Sequence, residues 1–320
     1  MPLRKPCISF FLLLLILAAG GGCSRPSDQT LRLVYSGAMM GYLEPCGCRE
    51  GRVGGLARLS AAARDSLDLW PEPKLLLEAG DFAEAFASPG VDPKNRYLLQ
   101  AMSFLGYDAV NVTAQDLMAG VETLRWAADS LRVPLISANL ASKNGGLVFP
   151  GWVIRQAGDL TIGVVGLGAV RPLEMHRARV DSLEFTAPEP ALRRALDQVR
   201  PQCDRVILLT DLTSRATREI ARTIPEIDLV ISTMELTPTQ GLRRVGQAWV
   251  AGTSRQGKAI TTIGLTPVTE DSLAATFSKA LLDSTYRDDP RVARLISEYQ
   301  ALRARHPGGW FSGGDPEASE

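Results

Sequence analysis

Short apolar runs separated by helix-like segments set the rhythm of this chain. The run at 31–35 reads as a buried first strand, and the apolar spacing after it predicts a helix over 55–67. A second buried strand, 74–78, ends in Ala79-Gly80-Asp81, which places Asp81 at a strand's C-terminal edge. Further along, the pattern predicts helices over 95–105, 121–131, 188–199, 216–223 and 291–305. Strands are predicted at 107–112, 133–139, 205–210, 227–231, 247–251 and 259–265, and a hairpin of 152–156 with 161–167 turns at Gly158-Asp159. Strand–helix alternation that gives way to hairpins points to an α/β protein with two sheets packed together and helices outside. No internal repeat interrupts it.

The ends are of a different kind. Arg4 and Lys5 precede an apolar run, 8–19, that is short for a membrane span, so 1–22 reads as a signal peptide. Gly20-Gly21-Gly22-Cys23 resembles a bacterial lipoprotein cleavage site, with Cys23 as the lipidated first residue, although a leucine is expected where Gly20 stands. Ordinary secretion and an uncleaved anchor are the alternatives, and all three export the protein to the bacterial cell envelope. Residues 23–30 read as a polar tether, 31–267 as the main domain, 268–307 as a C-terminal helical extension and 308–320 as a disordered tail.

Composition narrows the chemistry. Acids and bases balance at 35 each, so nothing suggests a nucleic-acid partner. The chain has 2 histidines, His176 and His306, too few for the histidine-rich zinc or dinuclear sites that hydrolyse esters. With Cys7 and Cys23 assigned to the signal and the lipid, Cys46, Cys48 and Cys203 remain, which is no disulfide framework. Cys203, between a helix and a strand, reads as a buried structural thiol.

Cys46-Gly47-Cys48 lies between the first strand and the helix at 55–67. Loops at the C-terminal ends of strands are where open α/β sheets hold ligands. The glycine lets the backbone bend between the thiols. Arg49, Arg52 and the following helix N-terminus favour a thiolate, and a disulfide between residues i and i+2 is strained and easily reduced. The pair thus reads as a redox or soft-metal site, against the plainer alternative of a surface turn.

Six stretches carry a resemblance: Tyr42-Leu43-Glu44-Pro45, Gly54-Gly55-Leu56-Ala57-Arg58, Leu76-Leu77-Glu78-Ala79-Gly80-Asp81-Phe82, Gly106-Tyr107-Asp108-Ala109-Val110, Ser137-Ala138-Asn139-Leu140 and Ile162-Gly163-Val164-Val165-Gly166-Leu167. In this order, over about 31–267, they resemble the metallophosphatase domain of 5′-nucleotidases and UDP-sugar hydrolases, of calcineurin-like phosphoesterase fold. The resemblance implies an α/β fold, a four-layer α/β/β/α sandwich in a single domain, with a C-terminal helix following it. It also implies a dinuclear metal site at the strand ends, and there this chain departs. The Asn-Asp-x-His-Gly motif reads Gly37-Ala38-Met39-Met40-Gly41; Gly-Asn-His-Glu reads Thr113-Ala114-Gln115-Asp116; the later lone histidine falls at Asp211; Gly-Gly-His-x-His reads Ser232-Thr233-Met234-Glu235-Leu236. Of the usual ligands Asp81 remains. The Cys-Gly-Cys loop resembles a group of exported bacterial UDP-sugar-hydrolase-like (seleno)proteins, which carry selenocysteine in place of one cysteine in some members. That tolerance implies nucleophilic, redox-active chemistry.

Three readings follow. The first is a pseudo-metallophosphatase without its dinuclear metal, using Cys46 and Cys48 for thiol redox with a partner thiol or electron-transfer protein. The second is a non-catalytic or soft-metal-binding surface protein, with Met40 and Met234 beside the thiols as ligands for an ion such as Cu(I), or as apolar filling of the vacated cavity. The third is a residual phosphoesterase with Asp81, Gln115, Asp116 and Asp211 as the remnant site, three carboxylates that could hold Mg²⁺ or Ca²⁺. The lipid anchor has its own test. Cys23→Ser should release the protein from membranes or leave an uncleaved precursor; unchanged membrane fractionation with a cleaved, unlipidated N-terminus would refute it.

Overall fold

The computed structural model describes residues 29–45, 52–71, 73–84, 93–170, 182–235, 241–269 and 272–306. Two six-stranded sheets lie face to face. The first contains β1 (Leu31–Ser36), β2 (Lys74–Glu78), β3 (Ala109–Asn111), β4 (Leu135–Ile136), β13 (Ala259–Thr269) and β14 (Ser272–Leu281). The second contains β6 (Trp152–Ala157), β7 (Leu160–Leu167), β9 (Arg205–Thr210), β10 (Leu229–Ser232), β11 (Leu242–Val245) and β12 (Ala248–Gly252). A short pair, β5 (Leu140–Ser142) and β8 (Leu183–Phe185), sits to one side. The strand orders are β14-β13-β1-β2-β3-β4 and β11-β12-β10-β9-β7-β6. The central strands of each sheet are parallel, and β13, β14, β6 and β11 are antiparallel additions at the flanks.

Alternation within the strands makes the layers. Leu31, Leu33 and Tyr35 of β1 face inward with Leu75 and Leu77 of β2, and meet Ile162, Val164, Ile207, Leu209, Leu229 and Ile231 of the second sheet. Val34, Leu76 and Val110 face outward, under α1 (Leu56–Asp68), α2 (Lys94–Leu105), α3 (Val121–Ser130) and α6 (Pro290–Ala304). On the far side α4 (Pro188–Val199) and α5 (Ser214–Thr223) cover Val165, Val206, Leu208 and Val230. Strands apolar on both faces are what parallel sheets under two helix layers require.

Most expected elements fall within a residue or two of their predicted bounds, and Arg205–Thr210 coincides with β9. The stretch 133–139 is shorter as a strand, because Pro134 and the departure toward β5 leave two paired residues in β4. The segment 268–307, expected to be a helical extension, requires correction. It opens with the end of β13 and with β14, which pairs along β13 from Ala259↔Leu281 to Thr269↔Ser272. Its alternation was muted because β14 is an edge strand whose small residues alternate between exposed and half-buried.

The C-terminal helix α6 is locked to α1 by one carboxylate. Buried Asp289 accepts Ser60 Oγ at 2.8 Å, Arg64 Nη2 at 2.7 Å and the backbone N–H of Arg291 at 3.0 Å, while its own N–H donates to Ala57 O at 2.9 Å. It is at once the N-cap of α6 and the polar partner of α1. Removing a cap and leaving the buried Ser60 hydroxyl unpaired costs about 1–3 kcal/mol. Asp289→Ala should lower the unfolding free energy measured in urea by that amount, whereas Asp283→Ala, at an exposed turn, should leave it within error.

Candidate functional site

The parallel strands of both sheets end at one rim, and the backbone there is unusual. Ala38, Met40 and Asp81 have φ of 54°, 53° and 56°, and Gln256, whose N–H donates to Ala38 O at 2.8 Å, has φ 60°. Non-glycine residues seldom take this left-handed conformation, and its concentration at one rim marks a position where geometry outweighs local preference. The segment after β1 is stitched to the segment after β2 by Ala38 N–H to Gly80 O (2.8 Å), Met40 N–H to Asp81 O (2.9 Å) and Gly41 N–H to Phe82 O (2.8 Å). Gly80, with φ 107°, is needed where it stands: a Cβ there would lie 2.4 Å from Thr113 Cγ2.

Asp81 is the centre of the rim. Thr113 Oγ1 donates to its Oδ1 at 2.8 Å, and Thr233 Oγ1 donates to its Oδ2 at 2.6 Å. Thr113 follows β3 of the first sheet and Thr233 follows β10 of the second, so this carboxylate joins the two sheets. Thr113 Oγ1 also lies 2.9 Å from Asp116 Oδ2. Asp116 is fully buried and accepts the backbone N–H groups of Asp81 (3.1 Å), Ala83 (3.0 Å) and Thr113 (2.9 Å). Burial, reinforced by the charge of Asp81, pushes its pKa up to about 7. One hydroxyl has one proton. When Asp116 is protonated its carboxyl can donate to Thr113 Oγ1, which donates onward to Asp81, and the chain of hydrogen bonds is complete.

A second buried acid lies at the end of β2. Glu78 accepts from Ser36 Oγ, Ser36 Oγ lies 2.7 Å from Tyr107 Oη, and Gly80 N–H approaches Glu78 Oε1 at 3.4 Å. Burial, with a contribution from the charge of Asp116, pushes Glu78 up to about 8, and burial raises Tyr107 well above its ordinary value.

The other expected residues are placed as follows. Gln115 Nε2 donates to Ala83 O at 2.7 Å and approaches Asp81 O at 3.5 Å, so it braces the loop through backbone carbonyls. Asp211, buried at the end of β9, accepts the N–H of Ala169 at 2.5 Å, and the carbonyl of the preceding Thr210 accepts Thr233 N–H at 3.0 Å. Met40 is half-buried; Met234 is 37% exposed, and its carbonyl accepts Ser214 Oγ. Cys203, expected to be buried, is half-buried against Gly163, and burial raises its pKa. Cys23, Cys46, Cys48, Arg49 and His176 lie outside the described residues. Arg52 is described and exposed; its carbonyl accepts Arg58 Nη1 at 2.7 Å. The sequence reading missed Thr113 and Thr233 as carboxylate partners, and the Glu78–Ser36–Tyr107 cluster. Thr113 and Thr233 sit inside two departed motifs, and a hydroxyl near each lost ligand position was the available signal.

The donor set does not suit the metal pair that the fold implies. Both oxygens of Asp81 are already held by hydroxyls, and Asp116 is enclosed by backbone N–H groups. Ala38 and Met40 offer hard cations nothing. Among the described residues no group of three or more His, Cys, Asp or Glu side chains is placed to hold an ion.

Paired parallel-cored sheets, two helix layers and a rim at the strand ends define the calcineurin-like metallophosphatase fold. Among solved structures the chain is similar to a 5′-nucleotidase precursor from Thermus thermophilus (18% identity, TM-score 0.71, 86% of this chain and 59% of that one). It is also similar to the sulfate thiohydrolase SoxB of the same organism (20%, 0.71, 88% and 62%) and to the calcineurin-like phosphoesterase YfkN of Bacillus subtilis (14%, 0.71, 87% and 98%). The chain thus spans about three-fifths of the first two. No protein-family model and no curated sequence matches it.

The buried acids give a signed pH dependence. An ordinary carboxyl in the unfolded chain titrates near ~4, whereas Asp116 and Glu78 hold their protons to about 7 and about 8 when folded. The stability this adds is complete below the unfolded value and is lost as pH rises through the folded values. Urea midpoints should therefore fall between about pH 5 and about pH 8.5, and Glu78→Gln should flatten the fall. A midpoint that climbs over this range would contradict the assignment.

Proposed function

We propose that this protein is an exported, lipid-anchored relative of the metallophosphatases that has left metal-dependent hydrolysis and works through thiol–disulfide exchange at Cys46 and Cys48. The observation that carries the reading is the engagement of both Asp81 oxygens by Thr113 and Thr233. The one family ligand that persists serves a hydrogen-bonded tie. No 5′-nucleotidase-like chemistry follows from that arrangement.

The surroundings of 46–51 support the second half of the proposal. Leu56 N–H donates to Leu43 O at 2.9 Å, Gly54 N–H donates to Leu282 O at 2.7 Å, and a Cβ on Gly55 would lie 2.9 Å from Pro45 Cδ. Arg58, itself 3.8 Å from Asp288, holds the carbonyl of Arg52. The flanking residues Pro45 and Arg52 thereby lie at the start of α1. A helix N-terminus and nearby guanidinium groups favour a thiolate. In the exchange, one thiolate attacks a partner disulfide, forms a mixed disulfide and releases a partner thiolate. The other cysteine then displaces the second partner thiol and closes the Cys46–Cys48 bond, so two electrons pass from the pair to the partner. The reverse sequence oxidises a partner dithiol.

Two assays separate the halves. Purified protein with Mn²⁺, Zn²⁺ or Mg²⁺ should not hydrolyse 5′-nucleotides or UDP-sugars; turnover of about 1 per second or more, abolished by Asp81→Ala, would overturn the non-hydrolytic half. Peptide-resolved alkylation against pH should give at least one of Cys46 and Cys48 a pKa clearly below the ordinary ~8.5. Two ordinary thiols that never oxidise as a pair would overturn the redox half, and a metal held tightly by both sulfurs would replace it with soft-ion binding.

A further inference from the structure

The place where the chain enters the fold fixes how the domain sits on a membrane. Leu31 begins β1 at the edge of the sheets opposite the rim, and Thr30 Oγ1 lies 2.8 Å from Thr266 Oγ1 at that edge. Cys23 is seven residues before Thr30, and a fully extended stretch of that length spans about 25 Å at most.

The base has its own chemistry. The C-terminal end of α1 is held there by Lys74, whose Nζ donates to Leu67 O at 2.8 Å and Trp70 O at 3.1 Å. Leu69, just past that end, is 82% exposed, the most exposed large apolar side chain among the described residues. Val268, two residues beyond Thr266 on β13, is 63% exposed. Arg32 stands over the half-buried Trp70, 5.6 Å from the ring centroid. Leucine, valine, tryptophan and arginine around a chain entry point suit the boundary between lipid headgroups and water.

We infer that this base edge is the surface apposed to the bilayer, and that the rim bearing Asp81 and the neck of the cysteine segment faces the aqueous phase. The inference rests on the lipid anchor proposed at Cys23. β1 is third from the edge of its sheet. To bring the rim to the membrane, the tether would have to run outward past β13 and β14, at about 4.8 Å per strand, and then climb a six-residue strand of about 20 Å. That path, about 30 Å, exceeds the tether's reach of about 25 Å. The rim is therefore built to meet a soluble or peripheral protein approaching from the aqueous side, and a lipid substrate embedded in the same leaflet is out of its reach.

The test uses the full mature chain on liposomes, with a polyethylene-glycol maleimide of several kilodaltons and peptide-resolved mass spectrometry. Leu69→Cys and Val268→Cys report the base, and Val170→Cys, exposed just beyond the rim end of β7, reports the rim. Base labelling should be lost on liposomes and restored in detergent, with rim labelling unchanged. Equal base labelling in both states, or protection of Val170→Cys, would overturn the orientation. Flotation of the native chain reads the anchor separately. If it does not float, the anchor on which the orientation rests is overturned, whatever the cysteine labelling shows.

Discussion

A buried carboxylate at the meeting of two sheets must be satisfied or neutralised, and the rim of this protein is arranged around meeting that demand for Asp81. Taking an ionised carboxylate out of water is costly unless strong partners replace the water. Hydrogen bonds to a charged group contribute about 1.5–3 kcal/mol each, and Asp81 has two, one from each sheet. The demand reaches outward from there. Gly80 must lack a side chain so that Thr113 can approach, and a Cβ on Gly37 would lie 2.7 Å from Thr253 Cγ2 and 3.2 Å from Thr233 Cγ2. The left-handed conformations of Ala38, Met40 and Asp81 belong to the same close approach of the segments after β1 and β2.

This arrangement changes what the rim can do. A carboxylate bridging two cations polarises a phosphoester; one bridging two hydroxyls holds two sheets together. Asp116 and Glu78, kept protonated toward neutral pH by burial and by neighbouring carboxyl charge, reduce the negative field at the strand ends. Close to this rim, the residues flanking 46–51 are held by Leu56 N–H to Leu43 O and Gly54 N–H to Leu282 O.

The layered fold was legible because parallel strands buried on both faces write themselves as apolar runs, as in Leu75-Leu76-Leu77 and Val206-Ile207-Leu208-Leu209. Strand β14 escaped because Ala274, Ala275, Thr276 and Ser278 carry no strong period, and its identity comes from pairing with β13. At the site, the loss of histidines could be read directly, and so could the persistence of Asp81. The hydroxyls that hold it could not. Thr113 and Thr233 are separated by 120 residues of chain, and only the stacking of two sheets brings their hydroxyls to the same carboxylate. Likewise, the raised pKa values of Glu78 and Asp116 depend on burial that local sequence does not encode.

Whether Asp81 is a tie or a ligand is measured directly by anomalous diffraction from a crystal equilibrated with Mn²⁺ at neutral pH. A tie gives no anomalous peak within coordination distance of Asp81, about 2–2.6 Å, with the Thr113 and Thr233 hydroxyls still on its two oxygens. A pair of peaks bridged by Asp81, with either threonine rotated away, would contradict it.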